Sequence, residues 1–88
     1  MNVAFEASFA RDLKHIRDNP LLRRVQQVIE AIKAAPGIGA VQDLKKMQGY
    51  DTFYRIRLGD YRIGIELVAD QVIFVRFLHR KDVYRYFL

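Results

Sequence analysis

The stretch Tyr54–Leu67, YRIRLGDYRIGIEL, alternates apolar and charged residues on both sides of a central Gly59-Asp60 pair. An alternation with a period of two indicates β-strands. Glycine at the first central position suits a two-residue hairpin turn, because a positive φ costs glycine little. Such a turn fixes the register and sets Arg57 directly opposite Arg62. The sequence therefore predicts a β-hairpin whose two faces differ in character.

One face of the predicted hairpin is apolar and belongs in a hydrophobic core. Its members are Tyr54, Ile56, Leu58, Tyr61, Ile63, Ile65 and Leu67. The other face, called the arginine face below, consists of Phe53, Arg55, Arg57, Arg62, Gly64 and Glu66. Like charges directly opposite on paired strands destabilise a sheet, and glycine in mid-strand often marks the close approach of a ligand or another backbone. The opposed arginines and Gly64 together predict a concave anion site.

A third strand is predicted over Val72–His79, which is rich in β-branched and aromatic residues. The preceding loop decides which face each of its side chains takes. We expect a three-residue loop over Ala69–Gln71, because a two-residue loop would turn the charged Arg76 into the core without a partner. The expected register puts Ile73, Val75 and Phe77 in the core and Phe74, Arg76 and Leu78 on the arginine face.

The N-terminal half shows helical periodicity instead. After a short apolar strand at Val3–Phe5, apolar residues recur at helical spacing over Ala7–Asp18 and again from Pro20 to about Ala35. Asn19 is the expected N-cap of the second helix, because Pro20 suits the first helical position. The first half is therefore predicted to be a short strand followed by a helical hairpin.

The change of period along the chain predicts the fold class. We expect one α+β domain over residues 1–88, with a small antiparallel sheet in β-α-α-β-β-β order and the helical hairpin packed on one face. Leu44–Met47, LKKM, is expected to be a connector before the sheet. The last residues, KDVYRYFL, are too few for periodicity to decide between a helical turn and a loose tail.

Composition narrows the classes of function. Fifteen Lys and Arg against ten Asp and Glu give a net charge of +5, which favours an anionic partner such as nucleic acid. The absence of cysteine excludes disulfides, Cys-ligated zinc and thiol catalysis. His15 and His79 lack the spacing of metal ligands, so we expect no metal and no cofactor. Charges interrupt the N-terminal apolar run, so we expect no signal peptide or membrane span and a cytoplasmic location.

The arginine face also limits the chemistry that the protein can perform. Guanidinium groups match phosphate oxygens and stay charged at any working pH, so they can bind a phosphodiester and stabilise a developing phosphorane. They do not serve as acid or base. Proton transfer would fall to Tyr84, His79, Lys81 or Glu66, which are all expected near the edge of the sheet.

Several motifs resemble those of a known family. YRIRLGDYRIGIEL, the LKKMQG segment and the VIFVRFLHRKDVYRYF end resemble the RelE/ParE superfamily of toxins from type II toxin–antitoxin systems, most closely its RelE-like branch. The likeness covers nearly the whole chain. It implies an mRNA interferase, a metal-independent endoribonuclease acting in the ribosomal A site. In that reaction the ribose 2′-hydroxyl attacks its own 3′ phosphate and leaves a cyclic phosphate and a 5′-hydroxyl.

The resemblance also assigns catalytic roles to residues of this chain. Arg55 and Arg57 match basic residues of the family's first hairpin strand, and Arg62 matches the arginine of its Tyr-Arg pair. Arg80 matches its late arginine, and Tyr84 matches its C-terminal tyrosine.

The identity of the base follows less directly from the resemblance. The well-known RelE toxin has lysines where this chain has Arg55 and Arg57, and lysine can move a proton whereas arginine cannot. Tyr84 is our first candidate for the base, because surrounding guanidinium groups would stabilise its phenolate. His79 is the alternative, since some relatives use a histidine in their final residues. A histidine at a strand end can instead serve only to bond the backbone.

Contacts with RNA or the ribosome are expected to extend beyond the catalytic residues, because docking needs additional basic surface. We assign such contacts to Lys45, Lys46, Arg76 and Lys81. The partners implied by the resemblance are a cognate antitoxin, mRNA and the ribosome, with operator DNA reached only through the antitoxin complex. Phe53 and Phe74 on the arginine face would stack on a base or anchor the antitoxin.

Two other functions stay open at this point. A toxin of the ParE type would inhibit DNA gyrase by binding, and its arginines would then serve the antitoxin rather than catalysis. A catalytically lapsed module would only bind its antitoxin and act with it on operator DNA.

Overall fold

The computed structural model of the chain describes residues 1–87, which form one sheet flanked by helices. The strands are β1 (Asn2–Phe5), β2 (Leu44–Lys46), β3 (Phe53–Leu58), β4 (Tyr61–Val68) and β5 (Gln71–His79). The α-helices are α1 (Ala7–Lys14), α2 (Asn19–Ala34) and α3 (Val83–Tyr86), with a 3₁₀ turn at Ile38–Ala40. The C-terminal stretch that the sequence leaves undecided thus forms one helical turn, while Leu88 lies outside the described residues.

The strands make a single mixed sheet in the order β1-β5-β4-β3-β2. β1 runs parallel to β5, and the other neighbours are antiparallel. The predicted α+β class is confirmed. Two details differ from the expectation: the sheet is not wholly antiparallel, and Leu44–Lys46 of the expected connector adds an edge strand by pairing with β3.

The ends of the helices differ from the sequence prediction by a few residues. α1 ends at Lys14, well before the expected Asp18. Asp18 is instead the N-cap of α2, and its side chain accepts a hydrogen bond of 3.0 Å from the N–H of Leu21. Asn19 therefore begins the helix rather than capping it. A carboxylate at this position satisfies an otherwise unpaired donor and interacts favourably with the helix dipole.

The main core lies between the sheet and the α1–α2 pair. Its buried members come from both helices and from the three central strands: Phe9, Leu21, Val25, Ile29, Ile32, Ile56, Leu58, Ile63, Ile65, Val72, Phe74 and Phe77. The apolar face of the predicted hairpin is thus the face that the helices cover. Burial of this apolar surface supplies most of the driving force for folding.

The β3–β4 hairpin has the register that its turn predicts. Arg57 pairs with Arg62, and Arg55 pairs with Gly64. Gly59 has a φ of +61°, the conformation expected of glycine at the first position of this turn.

The prediction for the next connection was wrong. Val68 pairs with Gln71, so the loop holds two residues rather than three, and Phe74 is fully buried in the core instead of lying on the arginine face. A β-bulge then shifts the register, because Ile65 pairs with Phe74 whereas Gly64 pairs with Arg76. The bulge leaves one extra residue in β5 and resets the alternation. Arg76 consequently stays out of the core although the loop is short.

The same shift changes the expected places of two more residues. Ile73, expected in the core, pairs with Glu66 of the arginine face and is half-buried. Val75 is half-buried against a second, smaller apolar cluster on the arginine face. That cluster contains Met47, Val83 and Phe87. Phe77 lies in the main core, as predicted.

Residues 1–87 contain neither a membrane-spanning helix nor a cluster of metal ligands. None of the helices in this part of the chain is both long and apolar enough to cross a membrane. The same residues hold no group of three or more His, Asp or Glu side chains that is placed to bind a metal ion.

The short β4–β5 loop gives a testable consequence. Ala69 has a φ of +53°, a left-handed conformation that costs a non-glycine residue roughly 1–2 kcal/mol. Glycine would remove that strain at an entropic cost of about 0.5–1 kcal/mol. We therefore expect Ala69→Gly to raise the melting temperature by about 2–4 °C, as measured by circular dichroism.

The matched control is Ala10→Gly, which makes the same change on the exposed side of α1. Glycine in a helix interior costs about 1 kcal/mol, so this variant should melt several degrees lower. A lower melting temperature for both variants would contradict the strain at Ala69.

Candidate active site

The arginine face carries its positive charges in two neighbouring rows across the sheet. One row consists of Lys45, Arg55, Gly64 and Arg76. The adjacent row, nearer the turn, consists of Arg57, Arg62 and Leu78. Arginines therefore stand next to each other both along and across the strands, which is an arrangement that opposes stability.

Arg62 is held against the turn that precedes it. Its Nη1 donates hydrogen bonds to the carbonyl oxygen of Gly59 at 2.8 Å and to that of Tyr61 at 2.9 Å. The remaining guanidinium N–H groups have no acceptor within residues 1–87. The turn thus fixes the side chain and leaves donors available for an anion.

Burial and neighbouring charges shift the pKa of Arg62. Burial lowers this pKa, and the positive charges of Arg55 and Arg57 lower it further. Tyr84 acts in the opposite direction and raises it, while Arg80 adds a smaller lowering effect. Arg62 is therefore the centre of a group, called the guanidinium cluster below, formed by Arg55, Arg57, Arg62 and Arg80.

Three members of the guanidinium cluster have no counter-charge in the described part of the chain. No carboxylate forms an ion pair there with Arg55, Arg57 or Arg62, and Arg80 lies 3.9 Å from the exposed Asp60. Within the same residues, Nε of Arg55 is buried and has no hydrogen-bond partner. An unsatisfied donor and uncompensated charge both cost stability, and such sites are often functional.

Tyr84 reaches the guanidinium cluster from α3. The helix is attached to the arginine face by Val83, which is fully buried, and by Phe87, which is 7% exposed. These two residues are four positions apart and therefore lie on the same side of the helical turn. Tyr84 points away from that contact and is 67% exposed, so most of the residue is accessible to solvent.

Gly64 explains how α3 can lie so close to the sheet. A Cβ atom at this position would be only 2.8 Å from three carbon atoms of the Phe87 ring. The ring of Phe53 packs edge-on against the same ring, with centroids 5.4 Å apart. The close approach that Gly64 predicts is thus made by the protein's own Phe87, and the interpretation of this glycine as part of an anion site was wrong.

Arg76 is engaged by other residues of the chain. Its Nε donates to Oδ2 of Asp12 at 2.7 Å and its Nη2 to Oδ1 at 3.1 Å, while Nη1 donates to the carbonyl oxygen of Tyr86 at 3.2 Å. The hydrogen bonds with Asp12 raise the pKa of Arg76. Unlike Arg55, Arg57 and Arg62, this arginine therefore has a carboxylate as its ion-pair partner and a carbonyl oxygen as a further acceptor.

His79 is not brought to the guanidinium cluster. It pairs with Tyr61 at the end of the strand and packs edge-on against that ring, on the helix-covered side of the sheet. Its Nδ1 accepts a hydrogen bond of 3.2 Å from the backbone N–H of Lys81. These contacts match the alternative interpretation of this residue as a strand-end histidine bonded to the backbone.

The other basic candidates lie around the edge of the arginine face. Lys45 is opposite Arg55 on β2 and is exposed, and Lys81 is exposed in the turn after β5. Lys46 forms a long contact of 3.9 Å with the exposed Asp51. Their side chains are available to solvent, as a surface contact with RNA would require.

Glu66 lies on the arginine face beyond Gly64, in the row that it forms with Phe53 and Ile73. Its Oε2 accepts a hydrogen bond of 3.3 Å from Thr52. The ring of Phe87 covers Gly64 between this carboxylate and the Arg57–Arg62 row. We therefore leave Glu66 out of the reacting groups.

Sequence reasoning missed the residues that position Tyr84. The sequence does carry one signal for them, since Val83 and Phe87 are apolar residues at helical spacing in the C-terminal stretch. Asp12 gave no such signal, because its role depends on a strand distant in the sequence.

Comparison with known proteins agrees with this architecture. The family model for the ParE toxin of type II toxin–antitoxin systems matches residues 3–84. The chain is 43% identical over 88 residues to Toxin RelE3 of Methanocaldococcus jannaschii, with 99% of each chain covered. The chain belongs to the RelE/ParE toxin superfamily.

Solved structures of superfamily toxins extend the comparison. The crystal structure of a RelB–RelE antitoxin–toxin complex from Methanococcus jannaschii matches 97% of this chain and 99% of that chain, with 41% identity and a TM-score of 0.82. A RelE–RelB complex from Pyrococcus horikoshii OT3 shares the fold, with a TM-score of 0.72 at 20% identity over 90% of this chain and 93% of that one. The resemblance drawn from the sequence motifs is therefore confirmed.

The contact between Gly64 and Phe87 can be tested in this RelE/ParE toxin by Gly64→Ala. The added methyl group must displace the ring, so we expect a loss of about 1–3 kcal/mol in the free energy of unfolding. We also expect faster amide exchange over residues 83–87. In the Phe87→Ala background the same substitution should cost much less, because the clashing ring is absent.

Gly39→Ala is the matched control for this experiment, because nothing lies within 4 Å of a Cβ atom added there. It should leave stability and exchange unchanged. Equal costs of Gly64→Ala in the presence and absence of the Phe87 ring would contradict the proposed contact.

The charge repulsion within the guanidinium cluster predicts that stability and function oppose each other. Arg57→Gln removes one of two like charges that face each other across paired strands. We expect its melting temperature to rise by about 2–4 °C at low salt, and the gain to shrink as salt screens the charges.

Arg23→Gln on the exposed side of α2 removes the same charge away from the cluster, and it should change the melting temperature little. An Arg57→Gln protein that melts lower than wild type would show that the two arginines do not repel each other.

Proposed function

We propose that this protein is the toxin of a type II toxin–antitoxin system and acts as a ribosome-dependent mRNA endonuclease. The observation that supports this function best is the guanidinium cluster, which lies beside the exposed Tyr84 and three of whose arginines have no ion-pair partner within residues 1–87. Phosphate groups are the natural ligands of such a cluster. A tyrosine hydroxyl beside them supplies the proton acceptor that arginines lack.

In the proposed reaction Tyr84, as the phenolate, takes the proton of a ribose 2′-hydroxyl. The 2′ oxygen forms a bond to the adjacent phosphorus, and the bond from phosphorus to the 5′ oxygen of the next nucleotide breaks. The products are a 2′,3′-cyclic phosphate and a 5′-hydroxyl. The leaving oxygen takes up a proton, and we assign its delivery to Lys81, the ammonium group next to Arg80 in the sequence.

The arginines would act on the charge that develops during this reaction. Arg55, Arg57 and Arg62 place positive charge on the sheet surface, and Arg80 adds to it from the turn after β5. Groups fixed before the reaction stabilise a phosphorane better than mobile water does. The bonds from Arg62 to the Gly59 and Tyr61 carbonyls provide such fixation for the central guanidinium.

Dependence on the ribosome is consistent with the shallow position of these groups. Arg57, Arg80 and Tyr84 are exposed, so the protein alone encloses little of a substrate. In-line attack by a 2′-hydroxyl needs a particular conformation of the RNA backbone. A ribosome that holds mRNA in the A site would supply that conformation, while Lys45, Lys46 and the net charge of +5 favour docking to rRNA.

The partner proposed for inhibition is a cognate antitoxin protein. The similar RelE proteins from Methanococcus jannaschii and Pyrococcus horikoshii were solved as complexes with RelB. An antitoxin segment with carboxylates would neutralise the unpaired arginines and cover Tyr84. We place the complex in the cytoplasm and expect it to reach operator DNA through the antitoxin.

The test uses programmed ribosomes and the same mRNA free in solution, with 5′ ends mapped after incubation with antitoxin-free protein. We expect cuts only at A-site codons of ribosome-bound mRNA. Tyr84→Phe should lower kcat by about 10²–10⁴-fold, and Arg62→Gln by about 10²–10³-fold. Tyr50→Phe, which removes an exposed hydroxyl away from the cluster, should leave the rate unchanged.

A second substrate tests the assignment of the nucleophile. An mRNA with a single 2′-deoxynucleotide on the 5′ side of the scissile phosphate should bind normally and stay intact, because the attacking oxygen is missing. Cleavage of this substrate, or full activity of Tyr84→Phe, would overturn the proposed mechanism.

Inhibition of DNA gyrase is the second candidate, because the matched family model describes the ParE toxin. Binding alone would be sufficient for that function. A supercoiling assay with purified gyrase separates the two functions. Inhibition of gyrase together with intact ribosome-bound mRNA would favour the ParE-type function, and absence of both activities in folded protein would favour a lapsed, antitoxin-binding module.

A further inference from the structure

α3 is too short to hold its own position. A helix of four residues has almost no intrinsic stability in water, so its place depends on contacts with the rest of the domain. Val83 and Phe87 supply the apolar contacts. They fix the helix against the sheet but leave the carbonyl groups at its end without partners inside the helix.

Arg76 supplies the polar contact at that end. Its Nη1 donates to the Tyr86 carbonyl oxygen at 3.2 Å, so the guanidinium caps the C-terminus of α3, where positive charge is favourable. The same guanidinium is held by both oxygens of Asp12, at 2.7 and 3.1 Å. One planar group thus joins α1, β5 and α3.

Asp12 is itself fixed by the bulge in β5. Oδ2 accepts a further hydrogen bond of 2.9 Å from the N–H of Phe77, and Oγ of Ser8 donates to the Val75 carbonyl oxygen at 2.6 Å. α1 therefore supplies hydrogen-bond partners to the backbone of β5 beyond Phe74, the last residue of β5 that pairs with β1. The Asp12 side chain is only 13% exposed, so its carboxylate is poorly available to solvent.

From these contacts we infer that Asp12 and Arg76 are positioning residues, which hold α3 so that Tyr84 meets the guanidinium cluster. The inference rests on the proposed function for its kinetic part. It gives Arg76 a role other than the RNA contact that its charge predicts. The inference also gives Asp12 a role in the proposed reaction, although a carboxylate near the site would by its charge alone repel RNA.

The opposite charges of the two residues make the inference testable. If Arg76 contacts RNA, Arg76→Lys keeps most of the affinity, Arg76→Gln raises KM, and Asp12→Asn leaves KM unchanged or lowers it. If the pair positions α3, all three substitutions lower kcat. Lysine cannot reproduce the fork that spans Asp12 and Tyr86, and the amide introduced by Asp12→Asn would face an arginine N–H with a donor of its own.

The experiment measures kcat and KM on programmed ribosomes and, in parallel, amide exchange of the full chain by mass spectrometry. We expect Asp12→Asn, Arg76→Lys and Arg76→Gln to lower kcat by about 10–100-fold, as a displaced catalytic group would, with KM within about twofold of wild type. Exchange over residues 82–87 should become faster, while exchange in β3 and β4 stays slow. Glu30→Gln, which opens the exposed ion pair with Lys33 on α2, is the matched carboxylate-to-amide control.

The exchange measurement keeps this inference separate from the proposed function. Faster exchange confined to α3 supports the positioning role even if wild-type protein cuts no mRNA, in which case only the proposed function fails. Unchanged α3 exchange in Asp12→Asn and Arg76→Gln overturns the inference, as does a KM effect that Arg76→Lys rescues. If Asp12→Asn unfolds the whole domain, the two Arg76 variants still decide between these outcomes.

Discussion

The contact between Gly64 and the Phe87 ring is the constraint on which the candidate site depends. Without a side chain at Gly64, the sheet has a depression where an aromatic ring can lie directly on the backbone. The packing of this ring holds α3 against the arginine face, where Val83 is buried in the same cluster. Tyr84 is thereby presented at the surface next to the arginines. A protein of this size can thus build its site by folding one short helix over a charged sheet.

The bulge in β5 resolves a conflict between loop length and charge. A two-residue loop places Val72 and Phe74 in the core, but continued alternation would then bury Arg76. The extra residue at the bulge reverses the alternation, and α1 takes up the backbone groups that the irregular strand leaves unpaired. The arginine kept out of the core in this way is the one that joins α1 to α3. A local irregularity in one strand therefore determines how three elements meet.

Short-range patterns in the sequence predicted the β3–β4 hairpin and the faces of its residues, because a two-residue turn leaves no freedom in the register. The α+β class followed from the change of period. Phe74 was misplaced because a bulge has no signature in the alternation that precedes it. Gly64 was correctly recognised as a point of close approach, but the sequence does not say which group approaches. The pairing of Asp12 with Arg76 joins residues 64 positions apart, which a pattern along the chain does not reveal.

The two kinds of arginine on this face illustrate how environment decides the role of a residue. Arg76 has a carboxylate and a carbonyl as partners, so its positive charge is compensated by other groups of the domain. Arg57 and Arg62 face each other across paired strands, with Arg55 beside them; burial, and after it the positive charges of Arg55 and Arg57, lower the pKa of Arg62. A folded domain keeps such a group only if the core offsets its cost, as the helix-covered side of the sheet does here. A bound phosphate would relieve the repulsion between these arginines. We therefore expect it to bind more tightly to them than to arginines that already have carboxylate partners. The cost of the cluster in stability and the affinity for a polyanion that we propose for it therefore both follow from the same arrangement of charge.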